Sequence, residues 1–324
     1  MMQTHKCAVV IPAKNAVNIL PAVLSKVLSQ KTEWSYEIIV IDSGSTDGTV
    51  EYLRQHDAIR LIEIPSSEFG HGKTRNLGIQ AANAEFIAFL THDAVPCDEN
   101  WLGNLVALAE EDALIAGVFG RHVANDHASP FTKNDLDRHF EGFRAHPKIL
   151  GRDTDPIRYE TDLGWRQLLH FYSDNNSLLR KSVWEKIPYP DVEFAEDQLW
   201  ARAVIEAGYR KGYAEDAVVY HSHDYGVREQ FQRAFDESRN FKKYFGYKLT
   251  PNFFHMCEAV VRLSIQAFRQ KLDVRYGKVG LLDRAGRALR RSALVAGHCA
   301  GANHEVLPMW LSARISLDQK LFRA

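Results

Sequence analysis

The chain has 324 residues, of which 45% are hydrophobic and 25% are charged, and its formal net charge is −1. This composition is that of an ordinary globular protein and gives no case for a nucleic-acid partner. The four cysteines are far apart, which excludes a zinc knuckle and a disulfide framework, and no apolar stretch approaches the roughly 18 residues of a membrane span. We therefore expect a cytoplasmic protein that lacks a signal peptide.

Short apolar runs alternate with helical patterns in the first part of the chain. Buried strands are predicted at Ala8–Pro12, Glu37–Ile41, Ile59–Ile64 and Phe86–Leu90. Strands that alternate with helices predict right-handed βαβ units and an α/β fold with a Rossmann-like, mostly parallel sheet flanked by helices. Residues 122–170 are rich in His, Asp, Arg and Pro and show little periodicity, which predicts long loops and short helices there.

Polar residues follow the strand Phe86–Leu90, at the end where open α/β sheets bind ligands. Asp93 in Thr91-His92-Asp93 can hold a hard divalent cation, and its structural alternative is a cap on the helix that follows. Asp42 ends the second strand beside a glycine-bearing turn. Its carboxylate can accept hydrogen bonds from a ribose or base, or it can form an Asx-turn, and both interpretations remain open.

A glycine-containing segment precedes the helix after the third strand. The tripeptide Gly70-His71-Gly72 can bring backbone N–H groups close to a diphosphate, although such tripeptides are most often only turns. Lys73 and Arg75 would neutralise the phosphate charge. Arg75 and Asn76 are expected in the first turn of the helix.

Taken together, these features resemble the nucleotide-sugar-dependent glycosyltransferases of family 2, which have the GT-A fold. The resemblance covers residues 6–225 and is strongest at Val10–Asn15, Ile41–Thr49 and Glu196-Asp197. In that family the first segment opens the nucleotide pocket, and the acid that matches Asp42 contacts the nucleoside. The resemblance therefore implies donor binding by residues of these segments and of the strand ends: Pro12, Lys14, Asp42, Gly70, His71, Gly72, Arg75, Asn76 and His92.

The metal motif departs from the family pattern. The usual Asp-x-Asp is present as Thr91-His92-Asp93, so its first acid is missing. The resemblance implies a cofactor Mg²⁺ or Mn²⁺ held by Asp93 and the donor diphosphate. His221 and His223 stand where some members supply a metal-ligating imidazole, and a surface or core histidine is the alternative for each.

Glu196-Asp197 matches the acidic pair of the family, whose Asp acts as the general base. An acceptor hydroxyl must lose its proton as it attacks the anomeric carbon, and a carboxylate within hydrogen-bond reach can take that proton. The reaction is then an inverting transfer without a covalent intermediate. The structural alternative is that both acids are solvated residues of a first helical turn, where the helix dipole favours them.

Three loop segments narrow the resemblance to a bacterial rhamnosyltransferase subset, namely Phe69–Asn76, Thr91–Pro96 and Tyr220–His223. That subset implies dTDP-L-rhamnose as donor and a saccharide or lipid-linked saccharide as acceptor in surface polysaccharide synthesis. A UDP- or GDP-hexose donor and a non-catalytic nucleotide-sugar-binding protein are the alternatives. A sugar nucleotidyltransferase would carry a glycine-rich loop after the first strand, where this chain has Ile11–Asn15.

We expect a catalytic domain at residues 1–226 and a mainly helical, basic region at residues 227–324. From His255 onward there are 12 Lys and Arg against 5 Asp and Glu. Two amphipathic helices are predicted, through Met256–Ala267 and through Val279–Ala296. They form either a packed appendage or homo-oligomer contact, or a peripheral contact with the inner face of the cell membrane, for which positive charge would come from Arg284, Arg287, Arg290 and Arg291.

Overall fold

The structure is a computed structural model, and it describes residues 5–317. The chain forms two compact units. Among the described residues, the first contains 5–125 together with Leu136–Ser222, and the second contains Asp126–Asp135 together with 223–317.

A mixed sheet forms the centre of the first unit. Its nine strands are β1 (His5–Ala13), β2 (Tyr36–Asp42), β3 (Ile59–Glu63), β4 (Ala84–Leu90), β5 (Val95–Pro96), β6 (Ile115–Val123), β7 (Ile149–Gly151), β8 (Asn176–Arg180) and β9 (Arg210–Tyr220). The spatial order is β3-β2-β1-β4-β8-β6-β9-β5, with β7 beside β9. β8 is antiparallel to both β4 and β6, and β5 and β7 are antiparallel to β9. The remaining strands share one direction, so the predicted mostly parallel sheet is confirmed.

The described helices are, in chain order, α1 (Leu20–Leu28), α2 (Thr49–Leu53), α3 (His71–Ala81), α4 (Trp101–Glu110), α5 (Pro130–Arg144), α6 (Pro156–Thr161), α7 (Leu163–His170), α8 (Lys181–Trp184), α9 (Glu196–Glu206), α10 (Val227–Phe245), α11 (Phe253–Arg269), α12 (Leu281–Ala302) and α13 (Met309–Ile315). The last four belong to the second unit and form the predicted C-terminal helical region. None of the helices within residues 5–317 is long and apolar enough to cross a bilayer.

The central strands are buried on both faces because successive side chains of a strand point to opposite sides of the sheet. In β1, Val9 and Ile11 join one apolar cluster, whereas Ala8 and Val10 join another. Helices α1 and α4 cover the first cluster, and α3 and α9 cover the second. This two-sided burial explains why the strands are continuous apolar runs in the sequence.

The predicted loop-rich interval 122–170 contains more regular structure than expected. Pro130–Arg144 forms a helix of 15 residues, so the prediction of loops and only short helices is wrong there. Leu136, Phe140 and Phe143 follow a 4-3 spacing and pack in the cluster that contains α3 and α9. That apolar stripe stabilises a helix that is otherwise mostly polar and charged.

In the second unit, α10 and α12 approach closely through glycines. A Cβ on Gly297 would lie 2.3 Å from Phe231 O, and one on Gly301 would lie 2.2 Å from Phe235 O. Both distances are too short for a side chain. The two glycines are four residues apart and therefore lie on one face of α12, which is the face that contacts α10.

Candidate active site

Polar residues at the ends of several strands meet at one edge of the sheet. In the parallel register Ala13, at the end of β1, lies beside Asp42 at the end of β2. β4 flanks β1 on its other side and ends at Leu90, directly before Thr91-His92-Asp93. Leu90 also pairs with Asn176, the first residue of antiparallel β8, so the residues just before Asn176 lie at the same edge. Open α/β sheets bind their ligands at this edge.

Asp42 is buried and forms the Asx-turn that the sequence left open. Its Oδ2 accepts hydrogen bonds from Gly44 N and Ser45 N, both at 2.9 Å, and its Oδ1 accepts one from Ser45 Oγ. Both carboxylate oxygens therefore have partners within the loop after β2. A contact between Asp42 and a nucleoside stays a prediction.

The loops after β1 and β2 hold each other in place. Asn15 N donates to Ser45 Oγ at 2.7 Å, and Asn15 Oδ1 accepts from Thr46 N at 2.9 Å. Pro12 is half-buried within β1, and Lys14 is exposed at the edge. The ammonium group of Lys14 is thus placed where it can meet an anionic ligand.

The start of α3 packs against the segment that precedes α9. A Cβ on Gly72 would lie 2.3 Å from Pro190 O, so this glycine is required for packing. Asn76 accepts from Trp184 Nε1 at 2.7 Å and donates from Nδ2 to Tyr189 O at 3.0 Å. These contacts fix the start of α3 against that segment, and donor binding by Gly72 and Asn76 stays a prediction.

The other predicted donor residues of this segment differ in their environments. Gly70 has extended backbone and precedes the helix, and Lys73 is exposed. Burial lowers the pKa of the His71 imidazole, with a smaller contribution from the positive charge of Arg75. A neutral His71 adds no positive charge for a diphosphate, so Lys73 is the cation that this segment presents.

Arg75 is buried, with 5% of its surface exposed, and its guanidinium faces two acids. Its Nη1 donates to Glu196 Oε1 at 2.5 Å, and its Nε lies 3.1 Å from Asp174 Oδ2 in an ion pair without hydrogen-bond alignment. The predicted contact of Arg75 with the donor diphosphate stays a prediction. A guanidinium that is buried between two carboxylates neutralises those carboxylates.

Asp174 is the residue of this site that the sequence did not single out. It is buried, and its Oδ1 accepts from Ser177 Oγ at 2.7 Å and from Tyr189 Oη at 2.9 Å. Its backbone N lies 3.4 Å from Asp197 Oδ2 and donates to it. Asp174 thus connects Arg75 to the predicted base, and we call Arg75, Asp174, Glu196 and Asp197 the acid cluster.

Three carboxylates share one guanidinium in the acid cluster. Burial raises the pKa of Asp197 well above its ordinary value, and the negative charges of Glu196 and Asp174 raise it further. Burial also raises the pKa of Asp174, which Arg75 opposes and Glu196 reinforces. A carboxylate that binds a proton more tightly is a stronger base, which is the property that proton removal from a hydroxyl requires.

Backbone strain occurs at two places along this edge. Among the described residues, the non-glycine residues with positive φ are Asn15, at 49°, and Ala195, at 59°. Such backbone costs roughly 1–3 kcal/mol and is common at functional sites. Ala195 directly precedes α9, so its conformation sets the direction in which Glu196 and Asp197 leave the backbone in the first turn.

Asp93 meets His221 because of the register between β5 and β9. Val95 pairs with Tyr220, so His221, the next residue, lies beside the turn that carries Asp93. The distance from His221 Nε2 to Asp93 Oδ1 is 3.6 Å. The imidazole of His122 lies next to His221, with ring centroids 5.4 Å apart. The carboxylate and these imidazoles are partly or fully buried in the first unit.

Comparisons with known proteins identify the family. The family model described as "Glycosyl transferase family 2" matches residues 8–187. The chain belongs to glycosyl transferase family 2.

Its relatives include the O-antigen chain rhamnosyltransferase RfbN of Salmonella typhimurium, 37% identical over 234 residues that form 71% of each chain. The O-antigen chain rhamnosyltransferase WbaN of Salmonella anatum is 34% identical over 210 residues, 64% of this chain and 63% of the relative. A mannosyltransferase of Pyrobaculum calidifontis, solved with GDP-Man and Mn²⁺, aligns with 97% of this chain and 79% of its own, with a TM-score of 0.55 and 18% identity. The predicted family, rhamnosyltransferase subset and GT-A fold are confirmed.

In this family 2 glycosyltransferase, the atoms near Asp93 fit a divalent cation. A carboxylate and an imidazole are both ligands of first-row divalent metals, and carboxylate oxygen also suits Mg²⁺. Within the described chain, Thr91 Oγ1 and His122 Nε2 are buried without a hydrogen-bond partner. These two polar atoms near Asp93 are therefore left for a bound ligand. His92 is half-buried in the same turn. His223, the other predicted ligand, is two residues beyond His221 and begins the second unit.

Proposed function

We propose that the protein is an inverting rhamnosyltransferase that transfers L-rhamnose from dTDP-L-rhamnose to a saccharide or lipid-linked saccharide acceptor in surface polysaccharide synthesis. The observation that supports the reaction most strongly is the position of Asp197, which is half-buried, tied to Asp174 and located at the sheet edge that also carries Asp93. The choice of sugar rests on the two O-antigen rhamnosyltransferase relatives.

Asp197 acts as the general base. Its carboxylate takes the proton of the acceptor hydroxyl while the hydroxyl oxygen bonds to the anomeric carbon and the bond to the dTDP oxygen breaks. The electron pair of the broken bond leaves with the diphosphate. Because one displacement inverts the anomeric centre, β-linked rhamnose in the donor gives an α-linked product. The raised pKa of Asp197 prepares this carboxylate for proton removal near neutral pH.

Arg75, Glu196 and Asp174 position the base. Arg75 fixes Glu196 at 2.5 Å, and Asp174 holds both Arg75 and the base. Two further donors, Ser177 Oγ and Tyr189 Oη, restrict the carboxylate of Asp174 to one orientation. The general base therefore has a fixed direction before the acceptor arrives, which is the condition for an efficient transfer.

Asp93 and His221 would hold Mg²⁺ or Mn²⁺, and His223 stays the predicted third ligand. The chain itself keeps His223 close, since two residues span at most about 7 Å. When bound, the metal neutralises the negative charge of the leaving diphosphate. The Mn²⁺ complex of the related mannosyltransferase fold supports this assignment. His92, in the same turn as Asp93, contacts the donor in this proposal.

The donor lies along the edge from β2 to β4. Asp42 and Pro12 border the nucleoside, and the exposed Lys14 and Lys73 supply positive charge for the diphosphate. The backbone at Gly70 and His71 precedes α3 and offers N–H groups at its start. With a lipid-linked acceptor, the enzyme would work on the cytoplasmic side of the membrane that carries that acceptor.

The donor is tested by a thermal-shift panel of dTDP-, UDP- and GDP-sugars, each with and without Mn²⁺. A ligand that binds only the folded state raises its apparent stability, so dTDP-L-rhamnose with Mn²⁺ should give the largest shift. A larger shift with a UDP- or GDP-hexose would overturn the donor assignment and leave the family assignment unchanged. NMR of the anomeric proton and carbon of the transferred sugar tests the inversion.

A further inference from the structure

Helix α11 in the second unit has an apolar stripe that its own unit leaves exposed. One side of the helix carries Met256, Val260 and Leu263, which are half-buried, and the buried Ala267. A second set of apolar residues has spacing 3-4-4-3 and therefore forms another face of the same helix. We call this set the α11 stripe, and it consists of Phe254, Cys257, Val261, Ile265 and Phe268.

The exposure of the α11 stripe is large for apolar side chains. Phe254 is 83% exposed, Val261 60%, Ile265 47% and Phe268 45%. Exposed apolar side chains also follow α11 in the sequence. They are Val274 in the connection to α12 and Leu281 and Leu282, the first residues of α12. Contiguous apolar surface of this kind marks an interaction site more often than isolated exposed residues do.

The charge around the α11 stripe is positive. Residues 253–280 contain five basic residues against two acidic ones, and the described part of the second unit contains 17 Lys and Arg against 10 Asp and Glu. Arg262 and Arg269 are exposed on α11 itself, and Lys271 and Lys278 are exposed in the connection to α12. An apolar face bordered by basic residues complements a surface in which negatively charged groups cover an apolar interior.

The arginines of α12 are less available than their sequence pattern predicts. Arg284 Nη1 donates to the carbonyl oxygens of Ala267, Phe268 and Gln270 and so caps the end of α11. Arg287 and Arg291 both pair with Asp135 within the second unit. Three of the four α12 arginines predicted to face a membrane thus have internal partners, whereas Arg262 and Arg269 on α11 are exposed.

We propose that the α11 stripe is a docking surface for an anionic phospholipid bilayer. The helix lies in the plane of the interface, with Val261, Ile265 and Phe268 among the acyl chains and Arg262 and Arg269 at the headgroups, as amphipathic helices with basic borders do. A second copy of the chain is the less favourable occupant, because each copy would bring the same excess of positive charge to the contact.

The proposal is tested by cosedimentation of the full chain with vesicles of pure phosphatidylcholine and of phosphatidylcholine with 30% phosphatidylglycerol. We expect binding to the anionic vesicles only, weakened by salt. The triple variant Val261→Ser, Ile265→Ser, Phe268→Ser should reduce that binding at least tenfold. The matched control is Ile157→Ser with Leu163→Ser, which changes two exposed apolar residues of the first unit and should bind like the wild type.

Circular dichroism and activity on a soluble acceptor show whether the variants remain folded, and this readout is independent of lipid binding. Arg262→Gln with Arg269→Gln should lower the salt dependence while leaving the helix intact. Equal binding to both vesicle types, no binding by the wild type, or wild-type binding by the triple variant would each overturn the proposal. So would light scattering that shows a wild-type dimer and a monomeric triple variant, since the stripe would then be a contact between copies.

Discussion

Arg75 is buried between the carboxylates of Asp174 and Glu196 in the first unit, whereas Asp93 faces the imidazole of His221 at a partly exposed edge of the same unit. In the acid cluster the carboxylates of Asp174 and Glu196 have protein partners at 2.5–3.1 Å. At the edge, Asp93 Oδ1 lies 3.6 Å from His221 Nε2, and both side chains are partly exposed.

The difference separates two tasks of the proposed enzyme. The acid cluster holds groups that must keep one orientation through every turnover, and burial with hydrogen bonds provides that rigidity. The edge holds groups that must exchange a cation and a donor, and their partial exposure permits that exchange. Stability should therefore depend on the acid cluster, and ligand binding should depend on the edge.

The largest expected effect on stability comes from removing the cation of the acid cluster. Arg75→Met leaves buried carboxylates without a counter-charge, and breaking a buried pair in this way costs about 3–5 kcal/mol. Urea unfolding at pH 8 measures the loss. The control is Arg54→Met, which removes an exposed ion pair with Glu63 and should cost no more than about 1 kcal/mol. An equal loss of unfolding free energy in the two variants would contradict the distinction between the buried acid cluster and an exposed ion pair.

At the edge, the expected loss is in metal binding and not in stability. Asp93→Asn should weaken Mn²⁺ binding by at least roughly 10- to 100-fold, the range seen even for groups that only support a metal ligand. Isothermal titration with Mn²⁺ alone and with Mn²⁺ plus dTDP measures it. Asp57→Asn, at an exposed acid away from this edge, is the control. Unchanged Mn²⁺ affinity in Asp93→Asn would remove Asp93 from the metal site.

A smaller and more specific effect is expected from Asp174→Asn. The negative charge of Asp174 helps to raise the pKa of Asp197, so its removal lowers that pKa. The base must be deprotonated to work, and the acid limb of the kcat profile should move to lower pH. Turnover on the high-pH plateau should fall by less than roughly 10-fold, because the base itself remains. A profile with an unmoved acid limb would show that Asp174 has only a structural role.

The smallest expected effect is on the pH dependence of stability. The pKa values of Asp174 and Asp197 are higher in the folded than in the unfolded chain, so the native state binds more protons above the ordinary carboxyl pKa. The free energy of unfolding should therefore fall as pH rises through the raised values. Asp197→Asn removes one of these groups and should flatten the decline, which urea unfolding from pH 5 to 8 measures. An unaltered slope would contradict the burial of this charge.

Local sequence patterns were sufficient for the first four strands, β1 to β4, and for the residues at their ends. Apolar runs such as Phe86–Leu90 predict strands buried on both faces, and chain order alone places Asp93 at the end of β4. The proximity of His221 to Asp93 depends on the antiparallel register of β5 with β9. β5 has only two residues, which is too short for an alternation of apolar and polar residues to reveal it in the sequence.

The acid cluster could not be predicted in the same way. Arg75 follows a glycine-containing segment, which suggested a phosphate ligand, but its carboxylate partners are 99 and 121 residues away in the sequence. Asp174 is one of many acids in the chain and gains its role only when β8 is paired beside β4. The 4-3 spacing of Leu136, Phe140 and Phe143 was a usable signal for α5, hidden among polar residues.

The most direct test of the proposed mechanism is the turnover and donor affinity of Asp197→Asn. The amide keeps the shape of the side chain but cannot take the acceptor proton. Turnover should fall by roughly 10²- to 10⁴-fold, the usual contribution of a positioned general base, while the affinity for dTDP with Mn²⁺ stays within about twofold of the wild type. An Asp197→Asn variant that transfers sugar at the wild-type rate would contradict the assignment of Asp197 as the base.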